Sequence, residues 1–192
     1  DLKSPFNAII GYSELLIEKI TNKDIQKIDE FGHMVLQLSN RAMDLLKNLM
    51  EWAQSQTDRM EFNPECFELE RFINETTLIY EDIAAQKSIA IKKVLPNNGR
   101  VFADKAMIST VFRNLISNAI KFTQSGGEVV ISAIEKPDEI IFLVKDSGIG
   151  ISPNRIARIF QIDQAYSTSG TNNETGTGLG LMLCKEFVGR HG

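Results

Sequence analysis

The spacing of apolar residues over the first 56 positions restricts the possible folds more than any other feature. Leu2, Phe6, Ile9, Ser13, Leu16 and Ile20 recur at alternating intervals of four and three. Phe31, Val35, Leu38, Ala42, Leu45, Leu49, Trp52 and Gln56 repeat the pattern. Such spacing keeps one stripe of a helix facing a neighbouring helix and does not fit the two-residue period of a strand. Thr21-Asn22-Lys23-Asp24 separates the two runs with turn and capping residues. The segment therefore predicts an antiparallel α-helical hairpin. Pro5 lies near its start, where a missing backbone donor should bend the helix. Ile10, Ile17, Ile28, Leu46 and Ala53 widen both stripes beyond one seam. Two helices cannot bury stripes that wide against each other. A second copy of the chain would complete a four-helix bundle, and packing against the C-terminal part is the alternative.

After Gln56 the period changes, and Asn63-Pro64 marks a boundary. We expect residues 1–57 to form the hairpin and residues 58–192 a second domain. Strands are expected near 60–67, 88–94, 100–103, 127–135 and 139–145, with helices over 68–86, 104–122, near 153–160 and from about 178. Gly126-Gly127 and Pro137-Asp138 supply turns. Strands joined by short turns, with helices interspersed but not strictly alternating, favour an α+β two-layer sandwich over a doubly wound sheet. Residues 161–178, QIDQAYSTSGTNNETGTG, are polar and aperiodic, the composition of a lid or binding loop.

Composition excludes several classes. A net charge of -4 gives no basic surface for nucleic acid or anionic lipid. No apolar run approaches the length of a membrane span, so no membrane contact is expected of this portion. Cys66 and Cys184 stand apart without partner motifs and read as reduced thiols in a cytoplasmic setting. The chain opens on Asp1 without a methionine and stops at His191-Gly192, and reads as a piece of a longer protein trimmed at both ends.

Three patterns carry chemistry. On the helix expected over 104–122, Asn114, Asn118 and Lys121 fall at i, i+4 and i+7, one narrow stripe beside the apolar side. Asparagine is a middling helix former. Its carboxamide can offer oxygen to a hard cation, and lysine one turn on can offer charge to phosphate; a solvated polar stripe is the plainer reading. DSGIGI, 146–151, follows the apolar strand IIFLV. Asp146 at the strand's end can aim a buried acceptor, while Gly148 and Gly150 permit close backbone approach to a flat ligand. TGTGLGL, 175–181, sets alternate glycines before a helix, where free N–H groups suit phosphate. Each pattern alone is weak.

In this order they are specific. NLISNAIKFT resembles the N box, DSGIGI the G1 box, RIF with the polar loop the F box, and TGTGLGL the G2 box of the Bergerat ATP-binding fold. That fold is shared by sensor histidine kinases, type II topoisomerases, mismatch-repair ATPases and a heat-shock chaperone family. The resemblance covers almost all of residues 60–192. DLKSPF resembles the histidine kinase H box, whose helical hairpin dimerises. It implies a phospho-acceptor histidine directly ahead of Asp1, Asp1 as the base that readies it, and Ser4 at the position that helps place water for the reverse, phosphatase reaction. The family usually has threonine or asparagine at that position.

The resemblance further implies ATP and Mg2+ as ligands, and as partners a second copy of the chain and a response-regulator receiver domain. Asp146 would accept from the adenine amine, with Gly148 and Gly150 beside it. Asn118 would hold Mg2+ with Asn114 nearby, and Lys121 would neutralise the triphosphate. Gly176, Thr177, Gly178, Leu179 and Gly180 would cradle phosphate. Phe122 would line the pocket, a role in the core being the alternative. Many members carry a basic residue after the F-box phenylalanine, here Phe160, yet none occurs between 161 and 178. His33 lacks an acidic neighbour in sequence and reads as a surface histidine, and His191 as structural. A topoisomerase- or chaperone-type ATPase and a degenerate, non-catalytic dimerisation module are the rival readings. The hairpin argues against the first, and the intact N, G1 and G2 boxes against the second.

Overall fold

The computed structural model describes residues 3–56, 60–96, 98–160, 170–172 and 178–192, with only the backbone of 55 and 56. Asp1, Gly176, Thr177 and most of the expected loop lie outside the described residues. The chain divides into two compact units, Asp1–Gln54 and Ser55–Gly192.

The first unit is a helical hairpin of α1 (Lys3–Thr21) and α2 (Ile25–Gln56). Helix α1 runs through Pro5 without interruption; Pro5 stands in its first described turn, where intrahelical donors are least needed. Its end is closed by Lys23 at φ 55°. Asp24 N–H donates to the Lys19 carbonyl (3.0 Å) and Lys23 N–H to that of Ile20 (3.1 Å), the paired bonds of a Schellman stop. Asp24 then starts α2, its carbonyl accepting from Ile28 N–H at 3.0 Å. Tyr12 meets Phe31 edge to face at 5.9 Å between ring centres.

The predicted seam of α2 is the covered face: Val35, Leu38, Leu45 and Leu49 are half-buried and Ala42 is buried. In α1 the seam divides. Ile9, Ser13 and Leu16 are half-buried, but Phe6 and Ile20 are exposed with Ile10 and Ile17. A single partner helix covers only about a third of a helix circumference, so the outer part of a wide stripe is left over. Among the described residues no helix is long and apolar enough to cross a membrane.

In the second unit β1 (Glu65–Glu68) pairs antiparallel with β3 (Arg100–Ala103), matching Cys66 to Phe102. A three-stranded sheet has the order β2 (Ala90–Val94), β4 (Glu128–Glu135), β5 (Ile140–Asp146), with β2 parallel to β4 and β4 antiparallel to β5. Helices α3 (Leu69–Gln86) and α4 (Lys105–Phe122) pack with the strands around one core, the two layers of an α+β sandwich. A file of rings runs through it: Phe67–Phe72 at 5.0 Å, Phe72–Phe112 at 5.6 Å and Phe112–Phe142 at 5.0 Å. Asp104 caps α4, its Oδ1 accepting from Ala106 and Met107 N–H at 3.0 Å each.

Three boundaries depart from expectation. The first strand begins at 65 because Pro64 has no donor and Asn63 N–H is taken by the Asp104 carboxylate at 3.0 Å. Helix α5 is one turn, Pro153–Ile156, and closes on a tight bond from Arg158 N–H to Arg155 O. Helix α6 (Gly180–Gly189) starts two residues late because Gly178 has φ 75°, outside any right-handed helix. Helix α6 packs on α4 through Met182, Leu183, Cys184 and Phe187. Burial pushes the Cys184 thiol up to about 12, whereas Cys66 is exposed. His191 closes the unit as the sequence suggested: Nε2 accepts from Asp104 N–H at 3.0 Å, and Nδ1 lies 2.6 Å from the Phe187 carbonyl.

Candidate nucleotide-binding site

The site is built on α4. Its apolar side is buried through Val111, Phe112, Ile116, Ala119 and Ile120, while Asn114, Asn118 and Lys121 are half-buried along one edge. The two asparagines are not equivalent. Asn114 donates from Nδ2 to the Thr110 carbonyl at 3.0 Å. Its Oδ1 then faces Gly180, and a Cβ built at Gly180 would collide with that oxygen. Gly180 thus makes room for Asn114. The Asn118 side chain makes no hydrogen bond to the described residues, which leaves its carboxamide able to serve a ligand. Lys121 places Nζ 4.7 Å from the centre of the Phe122 ring, a cation over an aromatic face.

Strand β5 ends at Asp146, paired with Val129 in the buried middle of the sheet. The side chain is exposed, not buried as sequence position suggested, because the chain turns away immediately. Asp146 Oδ1 accepts from Gly148 N–H at 2.9 Å. Ser147 fixes the turn to the start of β4: its Oγ accepts from Glu128 N–H (2.9 Å) and its N–H donates to Glu128 O (3.1 Å). A Cβ at Gly148 would strike the Phe122 carbonyl and the Asp146 carboxylate. Only glycine lets the DSGIG turn lie against the end of α4. Gly150 continues with φ 67°.

A helix leaves its last four carbonyls without intrahelical donors, and in α4 all four are satisfied. Thr123 donates to Ala119 O from N (3.1 Å) and Oγ1 (2.6 Å). Lys87 Nζ donates to Ile120 O (2.9 Å) and Lys121 O (3.1 Å). Thr171 N–H also reaches Lys121 O (3.0 Å), and Ile149 N–H reaches Phe122 O (3.1 Å). The end of α4 is therefore where the G1 turn and the segment before the glycine-rich stretch are joined. Sequence reasoning singled out neither Lys87, Thr171 nor Ser147. Lys87 is 33 residues from its first acceptor, and no local pattern announces such a bond.

The fold brings Asn114 to Gly180, Gly148 to Phe122, and Asp146 to Gly148. Leu179 is half-buried directly before α6. Ser4 is exposed on α1 in the other unit. The donor set suits a nucleotide: one exposed carboxylate, one uncommitted amide, one ammonium and a helix start. Among the described residues no group of three His, Cys, Asp or Glu could hold a metal. A divalent ion here would arrive with its phosphates, Asn118 adding one oxygen. His33 does have a carboxylate one turn back, Asp29 Oδ1 at 3.7 Å, which corrects the reading from adjacent residues alone. Both groups are largely exposed.

Known proteins resemble the chain in sequence and in fold. The family of histidine kinase-, DNA gyrase B- and HSP90-like ATPases matches residues 103–192. The circadian input-output histidine kinase CikA of Thermosynechococcus vestitus is 28% identical over 100% of this chain, which spans 27% of that protein. The histidine kinase AdeS of Acinetobacter baumannii shares the fold, with a TM-score of 0.73 at 19% identity over 97% of this chain and 84% of that one. The catalytic domain of histidine kinase ThkA is 30% identical, with a TM-score of 0.57, over 68% of this chain and 82% of that one. ThkA in complex with response regulator protein TrrA gives a TM-score of 0.63 at 20% identity over 88% of this chain and 48% of that one. With the G1 turn held at the end of α4, Gly180 set against Asn114 of the same helix, and relatives of this kind, the chain belongs to the sensor histidine kinases and carries their ATP-binding domain.

Proposed function

We propose that the chain is the catalytic core of a histidine kinase, which transfers the γ-phosphoryl group of ATP to a histidine and then to a receiver aspartate. Residues 58–192 bind the nucleotide. Asp146 accepts from the adenine amine, where guanine would present a carbonyl and leave two acceptors opposed. Asn118 gives an oxygen to Mg2+ and Lys121 offsets charge on the triphosphate. Backbone donors of Gly176, Thr177, Gly178 and Leu179 face phosphate, while Gly180 keeps Asn114 in place.

Residues 1–57 serve as the dimerisation and phosphotransfer hairpin. The exposed stripes Phe6, Ile10, Ile17, Ile20 and Leu36, Met43, Leu46, Met50 are what a second hairpin would cover in a four-helix bundle. The acceptor is the histidine that the H-box pattern puts directly ahead of Asp1. Its nitrogen attacks the γ-phosphorus, the bond to the β-phosphate oxygen breaks, Asp1 takes the imidazole proton, and ADP leaves. The solved complex of ThkA with TrrA supports a receiver domain as the second partner.

One observation carries this reading: three separated segments meet at the end of α4 beside an uncommitted Asn118. Calorimetry with ATP and Mg2+ should show binding that Asp146→Asn weakens at least about 100-fold with the fold intact. Equal affinity would sink the adenine assignment. The chain as given should bind ATP without phosphorylating itself. Extended by a helix ending in histidine, it should take an acid-labile, base-stable phosphoryl group from labelled ATP, and extended with alanine it should not. Label on His33 of the unextended chain would overturn the acceptor assignment.

A further inference from the structure

We infer that Lys87 is a positioning residue for the phosphate side of the nucleotide site, acting through the last turn of α4; this rests on the nucleotide-binding reading above. Lys87 is only 7% exposed, an uncommon state for lysine. Its backbone is held firmly. Its N–H donates to Ala84 O at 3.1 Å, the next residue Ser88 takes φ 56°, and Ser88 O accepts from Gly126 N–H at 3.1 Å. From that base the side chain crosses to α4 and gives two protons to Ile120 O and Lys121 O.

A cation at a helix C-terminus is favoured by the aligned peptide dipoles, and a buried ammonium must satisfy its protons. Here the two needs meet at the residue proposed to touch phosphate. The Lys121 carbonyl accepts from Lys87 Nζ at 3.1 Å and from Thr171 N–H at 3.0 Å. The Thr171 hydroxyl adds a bond to Thr123 O at 2.9 Å, with Lys121 O at 3.2 Å as its second acceptor. The peptide plane of Lys121 is thereby fixed from two elements, and so is the direction in which its side chain leaves the helix. Without Lys87, Ile120 O loses the donor that Nζ supplies, and the turn carrying Lys121 and Phe122 frays. Asp146 is held by its pairing with Val129 in the sheet and meets that turn only through the neighbouring bond from Ile149 N–H to Phe122 O. The inference therefore separates the two ends of the ligand: phosphate binding should suffer and adenine binding should not.

The test titrates the full chain with a non-hydrolysable ATP analogue plus Mg2+, and separately with adenosine. Lys87→Met keeps the stem and removes the donors. It should weaken the analogue about tenfold and leave adenosine within about twofold. Lys87→Arg, which keeps a charged donor, should recover part of the loss. Thr171→Val should weaken the analogue about threefold by the same route, and it carries the comparison if Lys87→Met does not fold. Equal loss of both ligands, or of neither, overturns the inference. If the unaltered chain binds neither ligand, the nucleotide reading fails by itself. Amide exchange then decides the positioning role: Lys87→Met should speed exchange at Thr171 and Ile149, and unchanged exchange there overturns it.

Discussion

The hairpin and the α+β unit are both helix-rich, but they are stabilised in different ways. Among the described residues of the hairpin only Ala42 is buried, and large side chains such as Ile17 (65% exposed) and Met43 (64%) face outward. The α+β unit encloses Phe72, Phe112, Ile116, Ile131 and Leu183 almost completely. Apolar burial contributes about 25 cal/mol per Å2, so the second unit draws on a core of its own, although Phe102 and Ile79 also face outward, while the first encloses almost none. The contrast teaches that an identical period of apolar residues can end up enclosed or left facing outward. What decides is whether the chain itself supplies the opposite face.

The largest effect should test the enclosed core. Phe112→Ala removes one of the two inner rings of the aromatic file and should cost about 3–5 kcal/mol in urea unfolding followed by circular dichroism. The sole tryptophan, Trp52, lies in α2 and reports the hairpin separately. A matching shift in its fluorescence transition would show the two units to be one cooperative body and would break the comparison.

Next in size, Leu36→Glu with Met43→Glu places two charges on the exposed stripe of α2. Sedimentation should pass from dimer to monomer, with association weakened at least about 100-fold and ATP affinity unchanged. A dimer that survives both charges would mean that this stripe is not the interface. Gly180→Ala should be smaller: the added methyl displaces Asn114, costing about 1–3 kcal/mol, read as a lower urea midpoint and weaker binding of the ATP analogue.

The smallest effect concerns the surface of α3. The hydrogen bond from Arg71, and then that from Lys105, hold the exposed Glu75 carboxyl below the usual carboxylate range. A carboxylate lowered in the folded state contributes stability above its unfolded pKa and loses it as pH falls through the folded value. Glu75→Gln should therefore lower the urea midpoint slightly at neutral pH, with the deficit vanishing in acid. A deficit that grows on acidification would reverse the assignment.

How much of this was legible depended on range. The strand over 100–103 and the asparagine stripe of α4 could be read because alternation and helical period are local signals. The order Asn118, Asp146, glycine-rich stretch pointed to a nucleotide site by resemblance, before any geometry. The parallel pairing of β2 with β4 was not legible, since register between strands about 38 residues apart leaves no mark on either. Nor was the division of the α1 stripe, because Phe6 and Ile9 are equally apolar and only the position of α2 separates them. Gly180 looked like a phosphate-binding glycine. Its first duty is steric, owed to a side chain 66 residues earlier. Lys87 resembled any helix-terminal lysine, and only its burial distinguishes it.

The two thiols make the chain a ready subject for selective chemical labelling. A maleimide reacts with thiolate, and at neutral pH a thiol raised to about 12 presents almost none. Cys184 is also buried against the Val111 carbonyl at 3.8 Å. Cys66 stands exposed on β1, opposite Phe102. One dye per chain should therefore attach at a known strand without removing either cysteine. Each labelled chain would carry its reporter on the α+β unit and not on the helical hairpin.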